Sequence, residues 1–246
     1  MDQFIDQHRI TNWYIYVYPQ IIDDTEYNMR IFGKLIYRNW LLYWQNVKYR
    51  YLCLSLFYFS MLLIQRFNGQ TFSQVFYGVI QLDNNFSLPI IWLGLSFVPI
   101  MIIGNAVTEL VIQQYIYVAK IKLWHYLASI GIVLVISNLG LVIGTYIIFW
   151  HKLGNLNFFI IYWIMNILIA CLYGLISVIV TPIITLMGAM AVYILGIAIN
   201  TFPLISQLMA SRIDYHFTWT ETATLSGLLI LSGFISNHIK KMDFMV

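Results

Sequence analysis

Charged side chains are scarce in this sequence. Asp, Glu, Lys and Arg together make up 9% of the 246 residues, whereas a soluble domain usually carries about 25%. Hydrophobic residues reach 61%, and a water-soluble core built from a chain of this length cannot enclose so much apolar surface. The composition therefore excludes a soluble globular domain and predicts an all-α, polytopic membrane protein.

Cysteine is also rare. Only Cys53 and Cys171 occur, and each lies inside an apolar run. No CxxC pattern or Cys/His cluster accompanies them, so neither a disulfide framework nor a metal site is indicated. We expect both to be small buried apolar residues.

The predicted membrane spans lack the charged side chains and motifs that ion transport or catalysis usually requires. A charge at mid-bilayer costs about 3 kcal/mol or more, and no span is expected to hold one, which disfavours ion-driven transport and proton relays. No HExxH or paired-carboxylate pattern occurs in a span. Gly33-Lys34 is the only Gly-Lys pair, and Asn28 and Leu35 replace the Gly and Ser/Thr of a phosphate-binding loop. We therefore expect no enzymatic activity, no metal and no cofactor in this chain.

The histidines leave one enzymatic alternative open. His125 and His151 are expected at opposite ends of the third span, so they cannot share a haem iron. His151 and His216 could both lie on the outer side, but no spacing singles them out as ligands. A haem- or lipid-modifying enzyme stays a third alternative.

Apolar segments divide most of the chain into six expected spans. They lie at about 51–65, 86–107, 123–150, 158–180, 183–200 and 219–239. Pro99 predicts a kink in the second span, and Gly140-x-x-x-Gly144 predicts close helix packing by the third. Thr71-x-x-Gln74 resembles a capping box that opens a short interfacial helix. Residues 201–217 are too polar to cross, and we expect a re-entrant or interfacial helix there.

An amphipathic helix is predicted at residues 29–50, after a cytoplasmic extension at 1–28. Its basic face carries Arg30, Lys34, Arg38 and Lys48. Its apolar face carries Phe32, Ile36, Trp40, Tyr43 and Val47. Such a helix suits the headgroup boundary of an anionic leaflet. We expect an elbow that lies on the membrane surface and turns into the bilayer at residue 50, where the 51–246 membrane domain begins.

The basic residues also predict orientation. If both termini are cytoplasmic, only Arg66, Lys152 and Arg212 of the 13 Lys and Arg residues lie on the outer side. An odd number of spans would place Lys240 and Lys241 outside, which the rule disfavours.

The most informative cytoplasmic stretch runs from Glu109 to Trp124. Its residues include Glu109, Leu110, Gln113, Gln114, Tyr115 and Lys120. A short helix lying crosswise beneath the second and third spans could dock into a partner's groove. An ordinary interfacial connection without a partner fits the periodicity equally well, so both alternatives stay open.

Three segments together resemble the ABC-2 type permease family, the membrane subunits of ATP-driven exporters. Met29 to Leu63 looks like the family's elbow helix and first span, Glu109 to Ile136 like its coupling helix and third span, and Leu228 to Phe244 like its last span. Residues 201–217 occupy the place of its outer re-entrant hairpin. The 28-residue extension and the lack of a serine-proline pair before the third span depart from the pattern.

The resemblance implies a multi-pass permease of the cell (plasma) membrane. It also implies that coupling to the ATPase is carried by Glu109, Leu110, Gln113, Gln114, Tyr115 and Lys120. Its expected partners are a cytoplasmic ATPase subunit that binds ATP, a second copy of itself or a homologous permease, and membrane lipids, but no nucleic acid. The expected cargo is an amphipathic peptide or a lipid-like molecule.

A second interpretation is a structural transmembrane subunit of a large energy-transducing, respiratory-type complex. The excess of Ile, Tyr, Phe and Asn is typical of an AT-rich genome, and spans without titratable groups suit a scaffold as well as a pore.

Overall fold

The computed structural model describes residues 24–79, 81–82, 85–86, 89–114, 123–199, 204–212 and 227. Its elements are α1 (Asp24–Phe67), α2 (Phe72–Val75), β1 (Gln81–Leu82), β2 (Asn85–Phe86), α3 (Ile90–Ile103), α4 (Ala106–Gln114), α5 (Leu123–Phe149), α6 (Leu156–Ile179), α7 (Pro182–Ala198) and a 3₁₀ turn (Ser206–Leu208). The predicted helical class is confirmed for these residues, since the only strands among them form one two-residue antiparallel pair.

Four helical segments are long and apolar enough to cross a membrane. They are Phe32–Phe67, Ile90–Val111, His125–Phe149 and Leu156–Ile179. The last three agree with the second, third and fourth predicted spans to within a few residues. The fifth predicted span, 183–200, is the shorter apolar helix α7 of 17 residues. The sixth, 219–239, lies outside the described residues except for residue 227.

The predicted turn at residue 50 is wrong, because α1 is one helix of 44 residues, about 66 Å long at 1.5 Å per residue. One face of its first half packs against the bundle. Leu35, Asn39, Tyr43 and Val47, spaced four residues apart, are all buried. A periodicity that suited a membrane surface therefore marks a helix–helix contact.

The face of α1 that meets α5 is lined by paired polar groups. Asn39 Nδ2 donates to Ser129 Oγ over 2.7 Å. Tyr43 and Ser137 share a hydrogen bond of 3.1 Å, and Tyr58 and Thr145 share one of 3.2 Å. Residue numbers rise together along both helices, so α1 and α5 run parallel. Hydrogen bonds across membrane helices contribute about 0.6 kcal/mol each.

The predicted close approach at Gly140-x-x-x-Gly144 is confirmed. A Cβ atom at Gly140 would overlap the Tyr51 hydroxyl, and one at Gly144 would overlap the Phe59 ring. Both aromatic side chains come from α1. The two glycines thus form the groove of α5 that receives α1.

Replacing Gly144 with valine is expected to lower the free energy of unfolding by about 2 kcal/mol, because overpacking at a tight contact costs about 1–3 kcal/mol. Gly131 offers a matched control on the same helix, since no atom of the described residues lies within 4 Å of a Cβ there. Thermal unfolding of the two purified valine variants in detergent would measure the difference. Equal stability of the two would contradict the assigned packing.

The helices meet short segments at one end of the bundle, which we call the loop end (residues 68–79, 150–155 and 204–212). The predicted capping box is confirmed, with Thr71 and Gln74 bonded reciprocally. The helix it opens, α2, has only four residues, because the chain turns at Phe76. Phe72 is buried among the rings of Phe149, Phe158 and Tyr162.

The predicted polar segment 201–217 is described at residues 204–212, where it forms the 3₁₀ turn. Trp92 Nε1 donates to the Leu208 carbonyl over 2.8 Å. The Arg212 guanidinium donates to the carbonyls of Gly196 and Ile197 at the end of α7. Burial lowers the pKa of Arg212 from its ordinary value. This segment therefore closes the loop end by capping α7.

The expectation that both cysteines are buried is wrong for Cys53, which is exposed, while Cys171 is partly buried. Cys53 lies on α1 beside the exposed Leu52 and Leu56. An apolar side chain on such a face can meet lipid, so burial inside the protein is not required of it.

Candidate functional site

The second candidate span, Ile90–Val111, is broken in its interior. Gly104 and Asn105 separate α3 from α4, and Gly104 has φ 49°. A break of this kind leaves carbonyl groups without the amide partner that a continuous helix supplies. Inside a bilayer those carbonyls need another donor. Pro99, where the sequence predicts a kink, lies inside α3. The break comes later, at Gly104, where glycine can adopt a positive φ.

Arg50 of α1 supplies the missing donors. Its Nε donates to the Ile102 carbonyl and its Nη2 to the Ile103 carbonyl, each over 2.8 Å. Its Nη1 donates to Asn105 Oδ1 over 3.2 Å. The planar guanidinium presents its N–H groups in a fixed fork, which suits two successive carbonyls. Arg50 therefore caps the end of α3 from a neighbouring helix.

Glu109 completes the site from one turn further along. Asn105 Nδ2 donates to Glu109 Oε1, so the Asn105 amide connects the cation of Arg50 with the anion of Glu109. The two charges cancel over the site as a whole. We call Arg50, Gly104, Asn105 and Glu109 the break site.

The break site lies near the middle of the bundle along the helix axes, although Asn105 is exposed and the other three residues are partly buried. Tyr51, the neighbour of Arg50, donates to the Ser137 carbonyl over 3.2 Å, and Ser137 is close to the middle of α5. A Cβ at Gly174 of α6 would lie 3.1 Å from Val107 in α4, so α4 packs against α6 just beyond the break.

The expectation that no span contains a charged side chain therefore does not hold for two of the four candidate spans. Arg50 and Glu109 both lie within candidate spans, Phe32–Phe67 and Ile90–Val111. The predicted span limits at 51 and 107 had left the two charges just outside.

Of the two alternatives left open for the stretch from Glu109 to Trp124, a crosswise helix does not fit residues 109–111, because α4 continues the candidate span Ile90–Val111 there. Thr108 Oγ1 donates to the Ser177 carbonyl of α6 over 2.8 Å. Leu110 is 1% exposed, and its carbonyl accepts the Tyr126 hydroxyl. Leu110 therefore offers no docking surface in this arrangement.

The other predicted coupling residues are only partly covered. Glu109 is half-buried in the break site. Gln113 and Gln114 belong to the backbone of α4, but their side chains lie outside the described part of the structure. Tyr115 and Lys120 also lie outside the described residues. A coupling role for these residues stays a prediction.

The predicted membrane-surface residues are spread along the first half of α1. Lys34 is exposed and Arg38 is half-buried. Trp40 stacks on Trp44 with centroids 5.9 Å apart, and Lys48 Nζ lies 5.0 Å from the Tyr49 ring centroid. The side chain of Arg30 is outside the described residues.

Sequence reasoning missed the role of Arg50. A signal was present, because Gly104-Asn105 is a turn-forming pair within an apolar run, and such a break calls for a donor from elsewhere. The identity of that donor depends on how α1 packs, which the pattern does not reveal.

The described residues contain no group of three or more His, Cys, Asp or Glu side chains that could hold a metal ion. His125 packs edge-on against Phe32, with centroids 6.2 Å apart, while His151 follows the other end of α5. Comparisons of the chain with protein-family models, curated proteins and solved structures found no match.

Proposed function

We propose that this chain is a membrane transport protein, and more specifically the permease subunit of an ATP-driven exporter. One observation carries the proposal: a candidate span is broken near mid-bundle, and a charged side chain from another helix holds the break. Charges in spans are costly and usually mark a transport path. Transporters commonly place their working sites at discontinuous helices.

The break site suggests how such a permease would move. The Arg50 guanidinium holds the end of α3 and the start of α4 together through hydrogen bonds, which can be exchanged without breaking a covalent bond. Displacing α4 along its axis would exchange these bonds, while α3 stays packed at the loop end through Trp92. The break would then act as a hinge between the two halves of the span.

The driving force in this proposal comes from a separate cytoplasmic ATPase that acts on the chain following α4. A second copy of this chain, or a homologous permease, would complete the path in the plasma membrane. The cargo would be an amphipathic peptide or a lipid-like molecule, which suits the aromatic, apolar helices. No ATP site is assigned to this chain.

The charges of the break site also support a second candidate, ion-driven transport. Glu109 is a half-buried carboxyl group within a candidate span, which is the type of group that proton-coupled carriers use. By contrast, a structural subunit of a respiratory-type complex has no evident use for a charged helix break. That scaffold interpretation remains the third candidate.

Purification from native membranes distinguishes the three candidates. The full-length chain would be isolated in lipid nanodiscs, and its bound proteins would be identified by mass spectrometry. A stoichiometric ATPase that contains a phosphate-binding loop would support the exporter. A set of respiratory subunits would overturn it. A chain that purifies alone and acidifies liposomes under an imposed gradient would indicate the ion-driven carrier.

Replacing Glu109 with glutamine is expected to reduce ATP hydrolysis by the assembled complex about tenfold, which corresponds to about 1.4 kcal/mol. The amide can still accept the hydrogen bond from Asn105, so the break keeps its geometry, whereas the negative charge that balances Arg50 through Asn105 is lost. Hydrolysis would be measured in proteoliposomes containing the complex.

Lys48→Gln is the matched control for this prediction. It removes a charge from α1 close to Arg50, but Lys48 lies over the Tyr49 ring and makes no described contact with the break. Wild-type hydrolysis in both variants would contradict a coupling role for Glu109.

A further inference from the structure

A second polar cluster lies between the break site and the loop end. Its members are hydroxyl and amide side chains that are each at most 1% exposed: Tyr58, Ser96, Thr145, Tyr162, Asn166 and Tyr193. They come from α1, α3, α5, α6 and α7. Polar side chains buried among membrane helices need hydrogen-bond partners within the protein.

Most of the cluster is paired. Tyr58 and Thr145 bond to each other, Ser96 Oγ and Tyr162 share a bond of 3.3 Å, and Tyr193 donates to the Ser96 carbonyl over 3.2 Å. The first pair connects α1 to α5, and the other two connect α3 to α6 and to α7.

Asn166 is the exception. Both its Nδ2 and its Oδ1 are buried without a hydrogen-bond partner among the described residues. The Tyr162 hydroxyl lies close to the amide, but the geometry does not make a hydrogen bond. Trp163 Nε1 is likewise buried and has no hydrogen-bond partner in the part of the chain that the structure describes. Trp163 precedes Asn166 by three positions in α6, so the two residues share one side of the helix.

The chemistry of the unpaired atoms indicates which kind of hydrogen-bond partner could bind them. Trp163 Nε1 and Asn166 Nδ2 are donors, whereas Asn166 Oδ1 is an acceptor. A metal cation cannot accept an N–H group, and an apolar molecule can neither donate nor accept. A water molecule does both, and buried waters typically make about three hydrogen bonds to such groups.

We propose that Asn166 binds an ordered water molecule inside the bundle, shared with the Trp163 indole and the Tyr162 hydroxyl. This site is separate from the break site and does not rest on the proposed function. It places an exchangeable hydrogen-bonding partner at the contact of α6 with α3. Water at that contact can replace direct side-chain bonds when the two helices shift.

X-ray hydroxyl-radical footprinting in nanodiscs tests the proposal, because radicals formed from bound water oxidise adjacent side chains even when these are buried. Oxidation of Trp163 and Tyr162 is expected to exceed that of Tyr43 at least fivefold. Tyr43 is an equally buried control, is hydrogen-bonded to Ser137, and has no unpaired neighbour in the described structure. In Asn166→Leu the excess should disappear.

A site without bound water predicts different measurements. If the site is dry, Trp163, Tyr162 and Tyr43 will be equally unreactive in the wild-type protein. Asn166→Leu will then raise the melting temperature, because it removes an amide that has no partner. A hydrated site predicts a lower melting temperature for the leucine variant, since Trp163 and Tyr162 lose a partner. Should that variant misfold, the wild-type comparison with Tyr43 still decides.

Discussion

Replacing Arg50 with leucine is expected to lower the free energy of unfolding by about 3 kcal/mol or more. The carbonyls of Ile102 and Ile103 would lose their donor, and a buried acceptor left unsatisfied costs about 1–3 kcal/mol. Glu109 would also lose the countercharge that it reaches through Asn105. Thermal unfolding of the purified variant, followed by size-exclusion chromatography in detergent, would measure the loss.

Three variants make this result specific to the break site. Lys48→Leu removes a half-buried cation two positions earlier and is expected to cost about 1 kcal/mol or less. Arg50→Lys keeps the charge but loses the fork, so an intermediate loss is expected. The double variant Arg50→Leu with Glu109→Leu should recover part of the stability, because no uncompensated charge remains in the half-buried site. Equal losses for Lys48→Leu and Arg50→Leu would rule out the capping role.

Gly104→Ala is expected to have an effect of similar size. The φ of 49° at Gly104 disfavours any residue with a side chain, at a cost of about 1–3 kcal/mol. A Cβ there would also overlap the Arg50 guanidinium and push it from its carbonyl acceptors. Unfolding by heat in the same detergent would give the loss directly.

The control for Gly104→Ala lies in the same span. Gly94 is helical, and none of the described residues has an atom within 4 Å of a Cβ at that position, so Gly94→Ala should stabilise α3 by up to about 1 kcal/mol. Because alanine at 104 displaces Arg50, the double variant Gly104→Ala with Arg50→Leu should cost less than the sum of its parts. Strict additivity would show that Gly104 and Arg50 act independently.

Composition and local sequence patterns were sufficient to predict the helical class and the approximate positions of several candidate spans. Apolar runs locate α5 and α6 because a membrane helix must be long and continuously apolar. The close packing at Gly140 and Gly144, and the capping box at Thr71, were also predictable, since each depends on residues a few positions apart.

The break site was not predictable in the same way. The partners of Arg50 lie 52 and 53 positions away in the chain, and no local pattern encodes such a pairing. The spacing of Leu35, Asn39 and Tyr43 indicates one helical face, but not whether that face meets lipid headgroups or another helix. The sequence therefore places Arg50, at the edge of an apolar run, at the membrane surface. In the structure α1 continues past Arg50 as one helix, and the Arg50 side chain contacts the end of α3.

The parallel pairing of α1 with α5 has a consequence for biosynthesis. Asn39 bonds to Ser129, 90 positions later in the chain, so its partner has not been synthesised when α1 enters the membrane. At about 5–20 residues per second, translation of the intervening segment takes roughly 5–20 s. During that interval Asn39 and Arg50 have to be shielded by the insertion machinery or by water at its lateral opening. The nascent chain is thus expected to leave the translocon only after α5 has emerged beside α1.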